Sequence, residues 1–226
     1  MKFNWAEFLN FSDMVMPLWE TIYMVVISMF FALLIGLPIG ILLVISEENH
    51  IAPNKTLNKI LDIILINITR SIPFIILMVV LIPLAREIVG KSFGSEAFIV
   101  YLSLGSAPFV ARVIEGSLNE VDGGLIEASK SLGASNFHII MKVLLPEALP
   151  SLIHGIVLTL ITLIGYSAMA GIVGGGGLGN SAVVAGFQNS NPEIIWKATI
   201  IIIVLVQIIQ FFGNIMVSKI YKKRGK

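Results

Sequence analysis

From Ala148 to Pro192 the chain carries no Asp, Glu, Lys or Arg, and no other feature limits its fold so tightly. As one helix, at about 1.5 Å per residue, this run would be about 68 Å long, roughly twice the ~30 Å hydrocarbon core of a bilayer. It therefore has to break. Six of the nine residues from Gly171 to Gly179 are glycine, which is a poor helix former, so the break is expected there, with the apolar helix ending near Val173. A soluble core does not suit such a run. Of the 226 residues 56% are hydrophobic and 13% charged, against about 25% charged in a soluble domain, which leaves too little polar side chain to cover a surface.

Four further apolar runs complete the pattern: 21–46, without a charge; 63–85, interrupted by Asn67, Thr69 and Arg70; 97–118, apolar until Arg112 and Glu115; and 198–218, with Trp196 and Tyr221 near its ends as interface anchors. With their flanks, the spans are expected at about 18–45, 58–85, 96–118, 147–173 and 194–219. The fold class is all-α integral membrane with five transmembrane helices, and residues 1–226 read as a single membrane domain. Lys219, Lys222, Lys223, Arg224 and Lys226 have no acid among them, and basic residues stay on the cytoplasmic side. The expected protein is thus multi-pass in the cell (plasma or inner) membrane, C-terminus cytoplasmic and N-terminus outside. The first twenty residues show neither a basic start nor a small-residue cleavage site, so targeting is expected from the first span itself.

A net charge of +1 gives no attraction to nucleic acid, and the absence of cysteine excludes disulfides, thiolate metal sites and cysteine nucleophiles. His50, His138 and His154 share no ligand spacing, so neither a metal site nor a catalytic residue is expected. The informative loop is 119–146, too long for a minimal hairpin. Asp122 can cap a helix, Gly123 and Gly124 can turn, 125–132 holds helix formers, and Gly133 can end it. Leu125, Ala128, Ser129 and Leu132 then share one face, suited either to lipid headgroups or to a protein partner.

Glu127-Ala128-Ser129, three residues, Gly133, nine residues, then Val143-Leu144-Leu145-Pro146 resembles the cytoplasmic signature of ATP-binding cassette (ABC) importer permeases, E-A-A, x3, G, x9, I-x-L-P. Ser129 and Val143 are conservative departures. The resemblance implies a type I ABC importer permease fold whose coupling helix, between spans three and four, sits in a groove of a separate ATPase subunit. It assigns ATPase coupling to Glu127, Ala128, Ser129, Gly133, Val143, Leu145 and Pro146. Small side chains at 128 and 129 allow close approach of a partner, and Glu127 offers a carboxylate.

The runs Arg70-Ser71-Ile72-Pro73-Phe74-Ile75-Ile76-Leu77, Ala107-Pro108-Phe109-Val110-Ala111-Arg112, Leu144-Leu145-Pro146-Glu147-Ala148-Leu149-Pro150 and Gly165-Tyr166-Ser167-Ala168-Met169-Ala170-Gly171 resemble the permease subunits of methionine importers. The first 60 residues resemble them in hydropathy and length only. This likeness implies a homodimer, two ATP-binding ATPase subunits and an extracytoplasmic substrate-binding lipoprotein, with ATP and Mg held by the ATPase and no cofactor in this chain. Gly90-Lys91-Ser92 lacks the upstream glycine of a phosphate loop. Gly174, Gly176 and Gly179 have dinucleotide-fingerprint spacing but follow a membrane helix, not a strand. Arg70 either snorkels to the cytoplasm or faces the dimer interior at a gate. Tyr166, Ser167 and Met169 either line the translocation path or pack helices. Arg112 and Glu115, three apart, can pair, and the glycine run is either a flexible outer loop or a close approach of two subunits. Alternatives are an ABC permease for another amino acid or small organic substrate, or a self-contained secondary transporter, whose midplane ion-coupling groups and paired repeats are not visible.

Overall fold

The computed structural model describes residues 5–224; Lys226, one of the basic residues of the C-terminal tail, lies outside them. The described residues form helices and connections, with no strand. Among the described residues four helices are long and apolar enough to cross a membrane: Ser12–Ile45, Ser95–Asn119, Leu149–Gly171 and Pro192–Lys223. Lys55–Ser71 and Phe74–Val89 make a fifth span when the bent pair is counted as one.

The second span is therefore not the continuous helix expected over 58–85. Proline disfavours a helical residue before it and has no N–H to give, and Ile72 is extended, with φ −85° and ψ 123°, followed by Pro73 at φ −54° and ψ 135°. The segment ahead of the break is a π-helix, Ile60–Ile68. A second unexpected element follows the glycine run. Gly177–Asn180 continues into the π-helix Ser181–Gln188, where the sequence suggested only a connection.

By its contacts the chain divides into two compact units. The first comprises Met1–Phe31, Pro73–Ser106 and Leu160–Phe211. In it Met14, Leu178 and Ala198 form a buried cluster. The side chain of Lys197, only 1% exposed, ends on Asp13 at 2.8 Å, so a buried ammonium has its counter-charge. Phe74 stacks face to face on Tyr166 at 4.6 Å between centroids and meets Phe98 edge-on at 6.2 Å.

The second unit comprises Ala32–Ile72, Ala107–Thr159 and Phe212–Lys226. Its core joins Ala32, Val44, Val110, Ile114 and Leu118 to Ile126, Ile139, Leu144 and Leu152, so the third-to-fourth loop packs on the ends of the spans. Gly36 and Gly40, four apart and so on one face of the first helix, lie directly on the third. A Cβ on Gly40 would stand 2.7 Å from the Ala111 carbonyl oxygen and 2.8 Å from Ile114 Cβ. Small residues at helix crossings let backbones approach, the main packing device where lipid competes equally for apolar surface.

Gly40→Ala and Gly116→Ala form a matched pair. The Ala111 carbonyl cannot swing away from a new methyl, whereas a Cβ at 116 meets nothing within 4 Å. Overpacking at 40 costs about 1–3 kcal/mol, while relief of glycine entropy at 116 gains roughly 0.5–1 kcal/mol. Thermal unfolding of the detergent-solubilised protein should therefore fall for the first variant and hold or rise for the second.

Candidate functional site

The loop between the third and fourth spans folds as a closed local motif. The Asp122 carboxylate accepts from the Gly124 amide at 2.7 Å and starts the helix Gly123–Ser131. At the other end Gly133 takes φ +77°, its N–H donates to the Lys130 carbonyl at 2.9 Å, and the Ala134 N–H donates to the Ser129 carbonyl at 3.1 Å. This is the paired 5→2 and 6→1 closure of a left-handed helix cap. A Cβ on Gly133 would meet no atom within 4 Å, so glycine is needed there for its backbone angle and not for space. Ser129 and Ser131 return their hydroxyls to the carbonyls of Leu125 and Glu127 at 2.7 and 3.0 Å.

The expected face points away from the chain's own core. Leu125 is 44% and Leu132 88% exposed, and Phe137 and Met141 beyond the turn are also exposed. Glu127 and Ala128 are open, and Ser129 is half-buried. The anchor is Ile126, buried among the span ends, which the amphipathic reading did not single out. The second half of the motif does the opposite work. Val143 and Leu145 pack against the core around fully buried Leu144, while Pro146 lies in the first turn of the short helix Leu145–Glu147. A π-helical turn, Ile140–Leu144, precedes it.

The loop after the first span braces the motif, because Lys130 Nζ donates to the His50 carbonyl at 3.0 Å. His50 Nδ1 is buried without a hydrogen-bond partner. Burial, helped by the Lys130 charge and opposed by Glu47, pushes the imidazole pKa below its ordinary value.

Arg112 does pair with Glu115, at 2.7 Å, but it also reaches across to the second span. Its other terminal nitrogen donates to the Asp62 carboxylate and, at 3.0 Å, to Asn67 Oδ1. Asn67 Nδ2 closes the ring on Asp62 at 3.2 Å. Residues five apart stand about 140° from each other on an α-helix; the wider π-turn brings Asp62 and Asn67 to one side. An α-helical reading of the sequence could not find that pair. Arg70 is exposed in this chain, with its guanidinium carbon 5.9 Å from the Phe109 ring centroid, a cation–π distance.

Ser167 is buried and donates to the Ile164 carbonyl at 2.7 Å. Tyr166 gives its ring to the stack on Phe74, and Met169 is half-buried. Beyond them the helix tightens to a 3-10 segment, Ala168–Val173, which Gly174 ends at φ +68°. The close approaches of the glycine run are made within the chain. A Cβ on Gly179 would fall 2.4 Å from Ala168 Cα, and one on Gly176, itself at φ +78°, would fall 2.7 Å from Glu20 Oε2. Glu20 accepts from the Gly177 N–H at 2.7 Å, and Thr21 Oγ accepts from the Leu178 N–H at 2.9 Å. The first span thus caps a helix that has no side-chain cap of its own.

These features define a multi-pass membrane protein that presents a capped, outward-facing helix on one of its loops. Residues 36–224 match the family described as binding-protein-dependent transport system inner membrane component, and the chain belongs to that family. It is 49% identical, over 86% of its length and 89% of the relative's, to the probable D-methionine transport system permease protein MetI of Pasteurella multocida. It is 45% identical, over 80% and 82%, to the methionine import system permease protein MetP of Bacillus subtilis. A similar MetI of Vibrio cholerae matches at 45% over 94% of both chains, so likeness extends into the N-terminal region, where the sequence had offered only hydropathy and length. A solved chain of the MetNI methionine ABC transporter, in an inward facing conformation, superposes with a TM-score of 0.89 at 46% identity, over 92% of this chain and 95% of that one. An amino acid ABC transporter chain at 18% identity shares the fold alone, with a TM-score of 0.78 over 97% and 100%.

Two measurements address the loop. Gly133→Ala should lower thermal stability by about 1–2 kcal/mol, the cost of a left-handed residue with a Cβ, and Gly133→Asn by less, since asparagine enters that region readily. A larger loss for Asn than for Ala would assign the glycine to space. Because the folded state favours neutral His50, an unfolded chain takes up the proton at higher pH. Stability is therefore full above about pH 6.5 and declines as pH falls below it. His50→Gln should shrink the fall in unfolding temperature between about pH 7.5 and about pH 5.5.

Proposed function

We propose that this chain is the membrane-spanning permease of a methionine importer, acting as a homodimer with two ATPase subunits and fed by an extracytoplasmic substrate-binding lipoprotein. The observation that carries the reading is the helix Gly123–Ser131, closed at both ends by its own hydrogen bonds yet turning Leu125, Ala128 and Leu132 outward. A helix that only packed on its own chain would bury that stripe. The methionine permeases and the MetNI chain to which it is similar support the substrate.

In this reading the loop is cytoplasmic, with the C-terminus on the same side and the N-terminus outside. ATP and Mg bind the partner subunits, and this chain hydrolyses nothing. Nucleotide binding closes the ATPase pair and displaces the helix that carries Glu127, Ala128 and Ser129. Gly133 sets the turn, and Val143, Leu145 and Pro146 pass the displacement to the fourth span. Arg70, Tyr166, Ser167 and Met169 belong to the translocation path and its gate.

Vesicles containing this chain with its ATPase and binding protein should take up labelled methionine only when ATP is supplied, with excess unlabelled methionine competing better than other amino acids. Preferential competition by another amino acid would reassign the substrate, and uptake without ATP would remove the importer reading. Ala128→Phe, on an exposed position, should leave the chain folded but cut co-purification of the ATPase at least about tenfold, as blocking a central contact does.

A further inference from the structure

Pro150 has no N–H, so the carbonyl of Pro146, four residues earlier, loses the donor that a helix would give it. Pro150 is itself buried in the helix Leu149–Ser167, and the junction with the preceding short helix is marked by Ala148, at φ −72° and ψ −6°. The Ala148 N–H is turned toward the same carbonyl, and the place of the missing i+4 donor is taken from the other end of the unit. Arg224 donates from Nη2 to the Pro146 carbonyl and from Nη1 to the Glu147 carbonyl at 3.1 Å and Glu147 Oε1 at 3.4 Å. Its position is fixed by the last span, because its N–H donates to the carbonyls of Ile220 and Tyr221 at 3.1 and 3.0 Å. Lys222 and Lys223 are exposed, whereas the Arg224 side chain is 26% exposed. A basic tail read only as an orientation signal thus contains one residue held in a specific place.

We infer that Arg224 is a positioning residue for transport. Its forked guanidinium replaces the backbone donor that Pro150 removes, and so it stiffens the junction through which the coupling loop is joined to the fourth span. Pro146 lies in the first turn of the short helix and Pro150 strips its carbonyl of the i+4 donor, while the adjacent Glu147 carbonyl is turned toward the same planar donor. A guanidinium satisfies both at once, and an ammonium, a single compact charge without the fork, does so less well. With the junction clamped, displacement of residues 123–131 reaches the span; with it loose, the displacement is spent in a frayed turn. This consequence for transport rests on the importer reading proposed above, but the clamp itself does not.

The test uses the assembled complex in proteoliposomes and compares Arg224→Ala, Arg224→Lys, Pro150→Ala and the double variant Arg224→Ala with Pro150→Ala. Arg224→Ala should lower methionine imported per ATP hydrolysed, and amide-exchange protection over residues 147–154, by about two- to tenfold, the range a hydrogen bond of ordinary net strength provides. Arg224→Lys should fall between. Pro150→Ala returns an N–H to the helix, so the double variant should recover most of both quantities. Unchanged values in Arg224→Ala would overturn the inference. So would a double variant that assembles yet remains as deficient as the single one, since a merely structural contact at the tail would not be rescued at position 150. If the exchange data follow this pattern while the unmutated complex imports no methionine, the clamp stands and the importer reading falls.

Discussion

A backbone N–H or C=O left without a partner in hydrocarbon costs several kcal/mol, and this constraint organises the molecule wherever a helix is interrupted. The chain breaks its helices at the glycine run, at Ile72-Pro73 and at the Pro146–Pro150 junction. Two of these breaks are repaired by side chains from distant parts of the sequence. Glu20 and Thr21 receive the first amides of the helix that begins at Gly177, and Arg224 supplies donors to Pro146 and Glu147. The signs are appropriate. A carboxylate lies at a helix N-terminus, where the dipole is positive, and a guanidinium lies at carbonyls. The glycines that permit the first repair are fixed by it in turn, since a Cβ at 176 would strike the Glu20 carboxylate and one at 177 the Thr21 hydroxyl.

Much of the fold was legible because membrane crossing leaves a strong local signal. A charge-free run with glycines in its middle reports both a span and its end, and the structure breaks within the expected stretch. The loop helix was equally visible, because Asp122, Leu125 and Gly133 act within a turn or two of one another. What stayed hidden depends on partners far away in sequence. Glu20 lies just outside the charge-free run of the first span and was given no role, yet it caps an element more than 150 positions later. Asp62 was hidden for a different reason: its pairing with Asn67 needs a π-helical turn, and helical spacing rules assume the α period. Ile72-Pro73 was in plain view, but hydropathy averaged over the run hid a break that proline chemistry alone demands.

The signature in the loop divides into two parts with opposite exposure, and its spacing follows from that division. Glu127, Ala128 and Ser129 lie on a helix held by one deep anchor, Ile126, and they face outward. Val143 and Leu145 lie around Leu144, which has no exposed surface, and they belong to the packed ends of the spans. Between them the chain must reverse direction and begin a second helix. Gly133 provides the reversal, and Ser135 caps the new helix by accepting from the His138 amide at 3.3 Å. The intervening residues are therefore the length of one turn and one helical segment, with Ser135 as the cap and Ile139 as the buried contact within them.

That arrangement also explains why an exposed apolar stripe coexists with a rigid backbone. A loop meant to yield would leave its helix ends open; here both ends of Gly123–Ser131 are closed, and Lys130 ties the last turn to the His50 carbonyl. The exposed leucines thus sit on a platform whose ordering cost is met within the chain, so a docking surface on it loses little conformational entropy when covered. Stiffness is useful only if it continues to the membrane. Past Gly133 the path runs through buried Ile139 and Leu144 to Ala148 and Leu152, and it crosses two backbone irregularities before the fourth span, the π-helical turn Ile140–Leu144 and the junction at Pro146–Pro150. In the proposed mechanism a force applied at Ala128 crosses that junction on its way to the fourth span, and the donors that Arg224 brings to the Pro146 and Glu147 carbonyls are what brace it there.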